Sequence, residues 1–471
     1  MHVHLIGVCG TGMGALAGLL KAAGHRVTGS DTSFYPPMGD ALVRWGVETM
    51  PGWRPENVDP APDLVVVGNV CRRDNPEARA AIDAGMSYAS FPETVEKVFL
   101  AKRPGFVVAG THGKTTTTTL LCHLLHRSGQ DPGFLVGGVP RDFDESYRLG
   151  GDDAPFVIEG DEYDCAFFEK KPKFWRYHPY AAILTSLEHD HIDIYPDMES
   201  YRAAFEGFVE RMDEKGVLVA WAGDPEVREV AKRARSRVVW YALDGEDTGD
   251  VTPTWLAAEV APQGGAQPFD LFVGGTSAGR IYSPLSGRHN LKNAVAAMAL
   301  AAETTGVAVR DLAAHLRAFR GVRRRQELIG VAGGVRIYED FAHHPTAVRE
   351  TLAGLRARHP EGRLFGVFEP RSATASRNLH QAEYPDAFRA ADVAILAPVG
   401  RPEIGDEERL DVEGIAEAIT ARGRSATAAP SIDAIVEQLR AETRRGDTVV
   451  LMSNGAFGGI YDRVLVSLAT R

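Results

Sequence analysis

Apolar residues fall into short runs separated by helical stretches, and this alternation repeats in three blocks. In the first block His2 to Val8, Arg26 to Ser30 and Leu64 to Gly68 read as strands, and Ala15 to Ala23 as a helix. Alternating strands and helices predict a parallel sheet with helices on its faces. Charge and turn residues cluster at Lys102-Arg103-Pro104-Gly105 and end that block. The second opens at Phe106 with the strand FVVAG, a Gly/Thr-rich turn and a helix from Thr115 to Ser128. Its further strands are predicted at Phe156 to Glu159, Ala181 to Thr185, Val217 to Trp221 and Val238 to Ala242. The stretch from Gly245 to Gly279, rich in Gly, Pro and Thr, predicts loops and short antiparallel strands, and Asn290 to Thr304 an Ala-rich helix. A third block starts near Gly321-Val322-Arg323, with strands at Val335 to Tyr338, Leu364 to Phe368, Val393 to Leu396 and Thr448 to Met452. The expected fold is α/β in three domains. They are a Rossmann-like domain over 1–103, a phosphate-loop ATPase-like domain over 104–320 and a second Rossmann-like domain over 321–471.

Composition narrows the function classes. The 471 residues include 52 Lys+Arg and 63 Asp+Glu, a formal charge of −11. An acidic balance argues against a general nucleic-acid binder, though a local cationic pocket can still take small anions. Cys9, Cys71, Cys122 and Cys165 form no CxxC pair, so neither a disulfide framework nor a zinc ribbon is expected, and a reducing cytoplasm fits. The opening MHVHLIGV has no basic segment and no long apolar core, so it does not read as a secretory signal. No apolar run approaches the ~18 residues of a membrane span.

The chemistry lies in five motifs. Gly7-Val-Cys-Gly10-Thr11-Gly12-Met13-Gly14-Ala15 sits between a strand and a helix, and Asp31 follows near the end of the next strand. Such glycines let the backbone approach a diphosphate at a helix N-terminus, and such an acid can accept ribose hydroxyls. Gly110-Thr111-His112-Gly113-Lys114-Thr115-Thr116 follows the strand FVVAG and opens a helix, a shortened phosphate loop. Its amides can cradle phosphates, Lys114 can reach the β- and γ-phosphates, and the Thr115 hydroxyl can bind Mg²⁺. Acids and histidines follow in Glu159-Gly-Asp161-Glu162-Tyr-Asp164 and in Glu188-His189-Asp190-His191-Ile-Asp193. Glu159 is suited to magnesium as a hard oxygen ligand at a strand end. The i, i+2 spacing of His189 and His191 matches no recognised zinc pattern, which leaves structural and ligating roles both open. Gly287-Arg-His289-Asn290 opens the Ala-rich helix, where Asn290 could equally be a cap. Arg323-Arg324-Arg325-Gln326, a solvated charge run or a phosphate clamp, precedes Glu339-Asp340-Phe-Ala-His343-His344-Pro345-Thr346.

Taken in order, these motifs resemble the Mur ligase family, ATP-dependent enzymes that join amino acids or peptides to UDP-muramyl precursors. The pairing of GxxGxGM with EDFAHHPT resembles the branch acting directly on UDP-N-acetylmuramate. The stretches Gly68-Asn69, Glu162 to Lys171, Glu369-Pro-Arg371-Ser372 and Ser453 to Arg463 resemble members whose acceptor is the short acidic peptide L-Ala-γ-D-Glu-meso-diaminopimelate, used in peptidoglycan recycling. L-alanine is the alternative acceptor. The resemblance implies Lys114, Glu159 and His191 as catalytic, with Thr115, Glu159 and His191 as metal ligands. It implies ATP contacts from Gly110, Thr111, His112, Gly113, Lys114, Thr115, Thr116, Asn290, Arg325 and Asp340. It implies UDP-sugar contacts from Gly7, Gly10, Thr11, Gly12, Met13, Asp31, Asn69 and His112, and peptide contacts from Arg371 and Ser372. Phe205 aligns where several family members carry a carbamylated lysine, and the muramate-activating branch also lacks that lysine.

Overall fold

A computed structural model describes residues 1–192, 194–261, 266–401 and 403–470. Asp193 and the part of the Gly245–Gly279 stretch at 262–265 lie outside the described residues. Among those described, three sheets organise the chain. The first has the strand order Glu48–Pro51, Arg26–Asp31, His2–Ile6, Leu64–Val67, Tyr88–Ser90, all parallel. The central ten-stranded sheet carries Gly105–Ala109 between Ala181–Leu184 and Phe156–Gly160, in parallel. The third runs Glu327–Ala332, Val335–Asp340, Thr448–Met452, Leu364–Phe368, Val393–Leu396, Ser425–Ala428, and only its first pairing is antiparallel. The central strands of each sheet are buried on both faces, the pattern of sheets covered by helices, while edge strands such as Glu48–Pro51 and Thr276–Ser283 are largely exposed.

Two element boundaries shift for reasons of backbone geometry. The first strand stops at Ile6 because Gly7 adopts φ +84°. The first helix runs Thr11–Ala22, four residues earlier than the hydrophobic pattern indicates. Its N-cap is Gly10, with no side-chain cap, so no Ser, Thr, Asp or Asn marks the start. The Gly245–Gly279 stretch is more regular than its composition implies. Trp255–Glu259 pairs parallel with Arg237–Leu243 and antiparallel with Gln267–Val273, which pairs antiparallel with Thr276–Ser283.

This topology decides where a site can form. In the first and central sheets, a strand is flanked by strands that leave it in opposite directions, at His2–Ile6 and Gly105–Ala109 respectively. A crevice opens at the carboxyl end of such a strand, the usual binding place of open α/β sheets. Every motif singled out from these two domains, except that of Asn290, lies at such strand ends.

Candidate active site

The phosphate-loop helix spans Lys114–Arg127 and is preceded by Gly113 at φ +81° and Gly110 at φ +133°. Both conformations favour glycine, and both glycines are also tightly packed. A Cβ on Gly113 would lie 2.5 Å from Asn293 Oδ1, and one on Gly110 would overlap Thr185 Oγ1. The loop is pinned to the neighbouring strand end: Thr111 N donates to Ser186 O at 2.8 Å, and Thr185 Oγ1 donates to His112 O at 2.6 Å. Thr116 and Thr117 are buried in the first helical turn.

Around this loop, charges fall into two groupings. Glu159 ends its strand and accepts from Thr115 Oγ1 at 3.1 Å and from Gly137 N at 2.7 Å. Burial pushes its carboxyl above the ordinary range, against the opposing Gly137 amide and the Arg325 and Lys114 charges. A half-buried acid in that state, beside a hydroxyl, is a hard-oxygen pair short of cationic charge, and it fits magnesium. In the second grouping Lys114 Nζ lies 3.0 and 3.1 Å from the Glu162 oxygens and donates to Gly110 O at 2.6 Å. His191, at φ +55°, places Nε2 3.1 Å from Glu162 Oε1, and Tyr201 OH donates to the same oxygen at 3.2 Å. Burial favours the neutral imidazole, but Glu162 and Asp190 outweigh it and raise the His191 pKa. The sequence-assigned metal residues are therefore divided: Thr115 and Glu159 are joined, while His191 is held by Glu162. Phe205 is buried against Phe174 and Tyr201.

The third domain closes over this crevice. Arg325 reaches across to Thr115 Oγ1 at 3.3 Å while its guanidinium stacks 4.7 Å from the Phe341 ring centre. Thr374 Oγ1 donates to Asp190 Oδ1 at 3.1 Å. Asp340 organises the approach: it accepts from Gln326 N at 2.7 Å and Ala342 N at 2.8 Å. Asn290 does not cap its helix, which begins after Gly287; its Nδ2 donates to Ser286 O at 2.9 Å, and its Oδ1 accepts from Asn293 at 3.3 Å. Arg371 is half-exposed, lies 3.8 Å from Glu369 Oε1 and runs alongside Gly455 and Gly400. Ser372 Oγ accepts from Ala375 N at 3.0 Å, which ties it to its own turn.

In the first domain Gly7, Gly10, Thr11, Gly12 and Met13 form the turn and helix start at the carboxyl end of the central strand, with exposed Asn69 on the adjacent strand's loop. Asp31 accepts from Cys9 N at 2.9 Å and Thr32 N at 2.7 Å, so the acid that reads as a ribose partner also braces the glycine turn. Three residues received no role from the sequence and stand out in space: Glu162, Glu188 and His344. Glu188 Oε2 lies 3.0 Å from His112 Nε2 and 3.8 Å from His344 Nδ1. Their motifs were visible, but the partners that give them meaning are remote in sequence.

A phosphate loop at one strand end, met by an arginine of the third domain, and a Gly-rich turn at the corresponding strand end of the first domain make up a three-domain architecture suited to a nucleotide-using ligase. Sequence profiles agree along the chain: "Mur ligase family, catalytic domain" matches residues 2–103, "Mur ligase middle domain" 108–301, and "Mur ligase, glutamate ligase domain" 324–455. The chain belongs to the Mur ligase family and is an ATP-dependent ligase. It is 38% identical, over 100% of its length and 99% of the relative's, to the UDP-N-acetylmuramate–L-alanyl-γ-D-glutamyl-meso-2,6-diaminoheptandioate ligase of Escherichia coli (strain K12). A crystal structure of a murein peptide ligase from Psychrobacter arcticus 273-4 is 36% identical and superposes with a TM-score of 0.73, covering 100% of this chain and 99% of that one. The UDP-N-acetylmuramate–L-alanine ligase of Rubrobacter xylanophilus is 34% identical over 99% of this chain and 100% of its own. Among the described residues, no helix is long and apolar enough to cross a membrane.

Proposed function

We propose that this chain joins the α-amine of L-Ala-γ-D-Glu-meso-diaminopimelate to the lactyl carboxylate of UDP-N-acetylmuramate, with ATP cleaved to ADP and phosphate, in peptidoglycan recycling. The observation that carries this reading is full-length similarity at 38% to an enzyme named for that substrate pair. A second reading, with L-alanine as acceptor, rests on the 34% identity to the alanine ligase.

A carboxylate is a poor acylating agent, so it must first be activated. A carboxylate oxygen attacks the γ-phosphorus, ADP leaves, and an acyl phosphate remains. The peptide amine then attacks the acyl carbon, and the tetrahedral adduct expels phosphate as the amine loses its proton. Positioning and charge neutralisation dominate the first step. In this reading the loop amides from Gly110 to Thr116 hold the phosphates, and Lys114 exchanges part of its contact with Glu162 for a phosphate oxygen. Thr115 and Glu159 would hold magnesium, with His191 as the further ligand once freed from Glu162. When bound, the metal supplies positive charge against the phosphates. Asn290 and Asp340 would receive the adenosine side of ATP, and Arg325, beside Thr115, would face its phosphates. The turn at Gly7, Gly10, Thr11, Gly12 and Met13, with Asp31 and Asn69, would receive UDP, and His112 the sugar carboxylate. Arg371 and Ser372 would take a peptide carboxylate, for which a guanidinium offers a bidentate fork. Closure of the third domain excludes water that would hydrolyse the acyl phosphate. Four free, buried cysteines suit a reducing cytoplasm. The test is ADP release from the purified protein: it should require UDP-N-acetylmuramate and peptide together. ATP hydrolysis indifferent to both would contradict the reading.

A further inference from the structure

The peptide amine must lose a proton as it attacks the acyl phosphate, and none of the groups placed so far takes it. Most titratable side chains where the central and third domains meet are already engaged. Glu188 is paired with His112 at 3.0 Å, and Glu162 with Lys114 and His191. Asp190 Oδ1 accepts from His191 N at 2.7 Å and from Thr374 Oγ1 at 3.1 Å. Burial opposes ionisation of these three acids, but the neighbouring cations and donors hold each carboxyl below the ordinary range, which makes each a poor base. His344 spends its Nδ1 lone pair on Thr346 N at 3.3 Å.

His343 differs from all of these. It lies between the strand Val335–Asp340 and the helix Pro345–Arg358. Its Nδ1 is 3.1 Å from Phe341 O, and a carbonyl can only accept, so the proton sits on Nδ1 and the lone pair of the neutral ring on Nε2. Among the described residues, Nε2 has no hydrogen-bond or ion-pair partner. The backbone on either side is fixed: Tyr384 OH donates to His343 O at 2.8 Å, and Ala342 N to Asp340 Oδ1 at 2.8 Å. Burial pushes the ring's pKa below its ordinary 6.5, opposed by the Phe341 carbonyl and the Asp190 charge and assisted by Arg325 and His112. The ring is therefore neutral at neutral pH, the form a base needs. The three charges that bear on it also locate it. Asp190 is bonded to Thr374, two residues beyond the Arg371–Ser372 pair assigned to the peptide. His112 is assigned to the sugar carboxylate, and its ring lies 4.9 Å from that of the adjacent His344. Arg325 reaches Thr115 in the phosphate loop.

We propose that His343 Nε2 is the general base of the amide-forming step, a reading that rests on the ligase reaction proposed above. The neutral amine nitrogen bonds to the acyl carbon, and its proton passes to Nε2. Collapse of the tetrahedral adduct breaks the bond from carbon to the phosphate oxygen, phosphate leaves with the electron pair, and the imidazolium gives its proton to water.

The test separates this step from phosphoryl transfer. Full-length protein is supplied with ATP, Mg²⁺, UDP-N-acetylmuramate and either the tripeptide or hydroxylamine, which traps an acyl phosphate as a hydroxamate without help from a base. His343→Gln should slow tripeptide ligation by about 10²–10⁴-fold and keep hydroxamate formation. Retained hydroxamate also shows that the variant is folded, and His343→Asn, run beside it with circular dichroism, guards against a defect particular to Gln. With saturating tripeptide, wild-type kcat should fall as pH drops through the His343 value below 6.5, and the variants should lack that limb. Near-normal ligation in either folded variant, equal loss of ligation and hydroxamate in folded protein, or an acid limb that the variants keep would overturn the proposal. Absence of hydroxamate from the wild type would remove the acyl phosphate itself, a failure of the reaction that is distinct from a failure of His343.

Discussion

Removing the negative charge of Glu162 should destabilise the central domain far more than an ordinary polar substitution. Glu162 is fully buried, and its carboxylate faces Lys114 Nζ at 3.0 and 3.1 Å, His191 Nε2 at 3.1 Å and Tyr201 OH at 3.2 Å. Glu162→Gln leaves a largely buried ammonium and an imidazolium without their counter-ion. Breaking a buried pair this way costs about 3–5 kcal/mol. For a domain of roughly 200 residues, each kcal/mol moves Tm by about 2–4 °C, so the central transition should fall by roughly 6–20 °C. Lys114→Met/Glu162→Gln should recover much of that loss, because the obligate ammonium is gone and His191, no longer facing a carboxylate, can shed its proton. The pH profile has a definite sign. Burial alone would raise the Glu162 pKa, but Lys114 and His191 outweigh it and hold it below its ordinary 4.5. Its stabilisation is therefore present above pH 4.5 and lost as pH falls through the lower folded value. His191 is raised from 6.5, so its share is full below 6.5 and fades as pH rises through the folded value above it. Calorimetry of wild type, both single variants and the double variant from pH 4 to 9 reads all of this. A Glu162→Gln shift under about 2 °C at pH 7, or strict additivity in the cycle, would refute the reasoning.

Lys114→Ala should lower the ligation rate by at least about 10²–10³-fold, measured as coupled ADP release, since a charge aimed at the transferring phosphate is removed; near-normal turnover would sink the phosphate-loop assignment. Gly113→Ala should cost about 1–2 kcal/mol for the left-handed conformation alone, and more for the contact with Asn293 Oδ1, read as a lower Tm and weakened ATP binding by calorimetry. In the first domain, buried Glu77 accepts from Arg54 N at 3.0 Å, from Ser30 and from Asn57, with His4 at 3.4 Å. Burial opposes ionisation there, yet His4 and these donors hold the pKa below 4.5, so its stabilisation exists above pH 4.5 and disappears as pH falls through the folded value. Glu77→Gln should lower Tm at pH 7 and flatten its acid limb; an unchanged limb in an acid titration followed by circular dichroism would contradict this.

How much of this was legible before the structure depended on how local each signal is. The strand Gly105–Ala109, the loop glycines and Lys114 could be read directly, because strand, turn and helix follow one another within a few residues. The start of the first helix was not, because Gly10 caps it with backbone alone. The turn residues of the Gly245–Gly279 stretch announced its antiparallel strands, but not the parallel pairing of Trp255–Glu259 with Arg237–Leu243, which tertiary contacts supply. Glu162, Glu188 and Asp190 could be seen as acids in motifs, but their partners lie 48, 76 and 184 residues away in Lys114, His112 and Thr374. Arg325 reaches Thr115 over 210 residues. The first two pairings come from packing within the central domain and the Thr374 and Arg325 contacts from its meeting with the third, neither of which spacing along the chain encodes. The net charge of −11 misleads in the same way: in the proposed reading anions would be met by loop amides, Lys114, Arg325 and Arg371, not by the field of the whole chain.

The central claim concerns the acceptor, and one assay addresses it most directly. Purified protein is supplied with ATP, Mg²⁺ and UDP-N-acetylmuramate, and then with either L-Ala-γ-D-Glu-meso-diaminopimelate or L-alanine at matched concentrations. Phosphate release and the mass of the sugar-nucleotide product are followed together. The account predicts phosphate release with the tripeptide and a product equal to the two substrates joined with loss of water. Turnover with L-alanine alone, and none with the tripeptide, would contradict it.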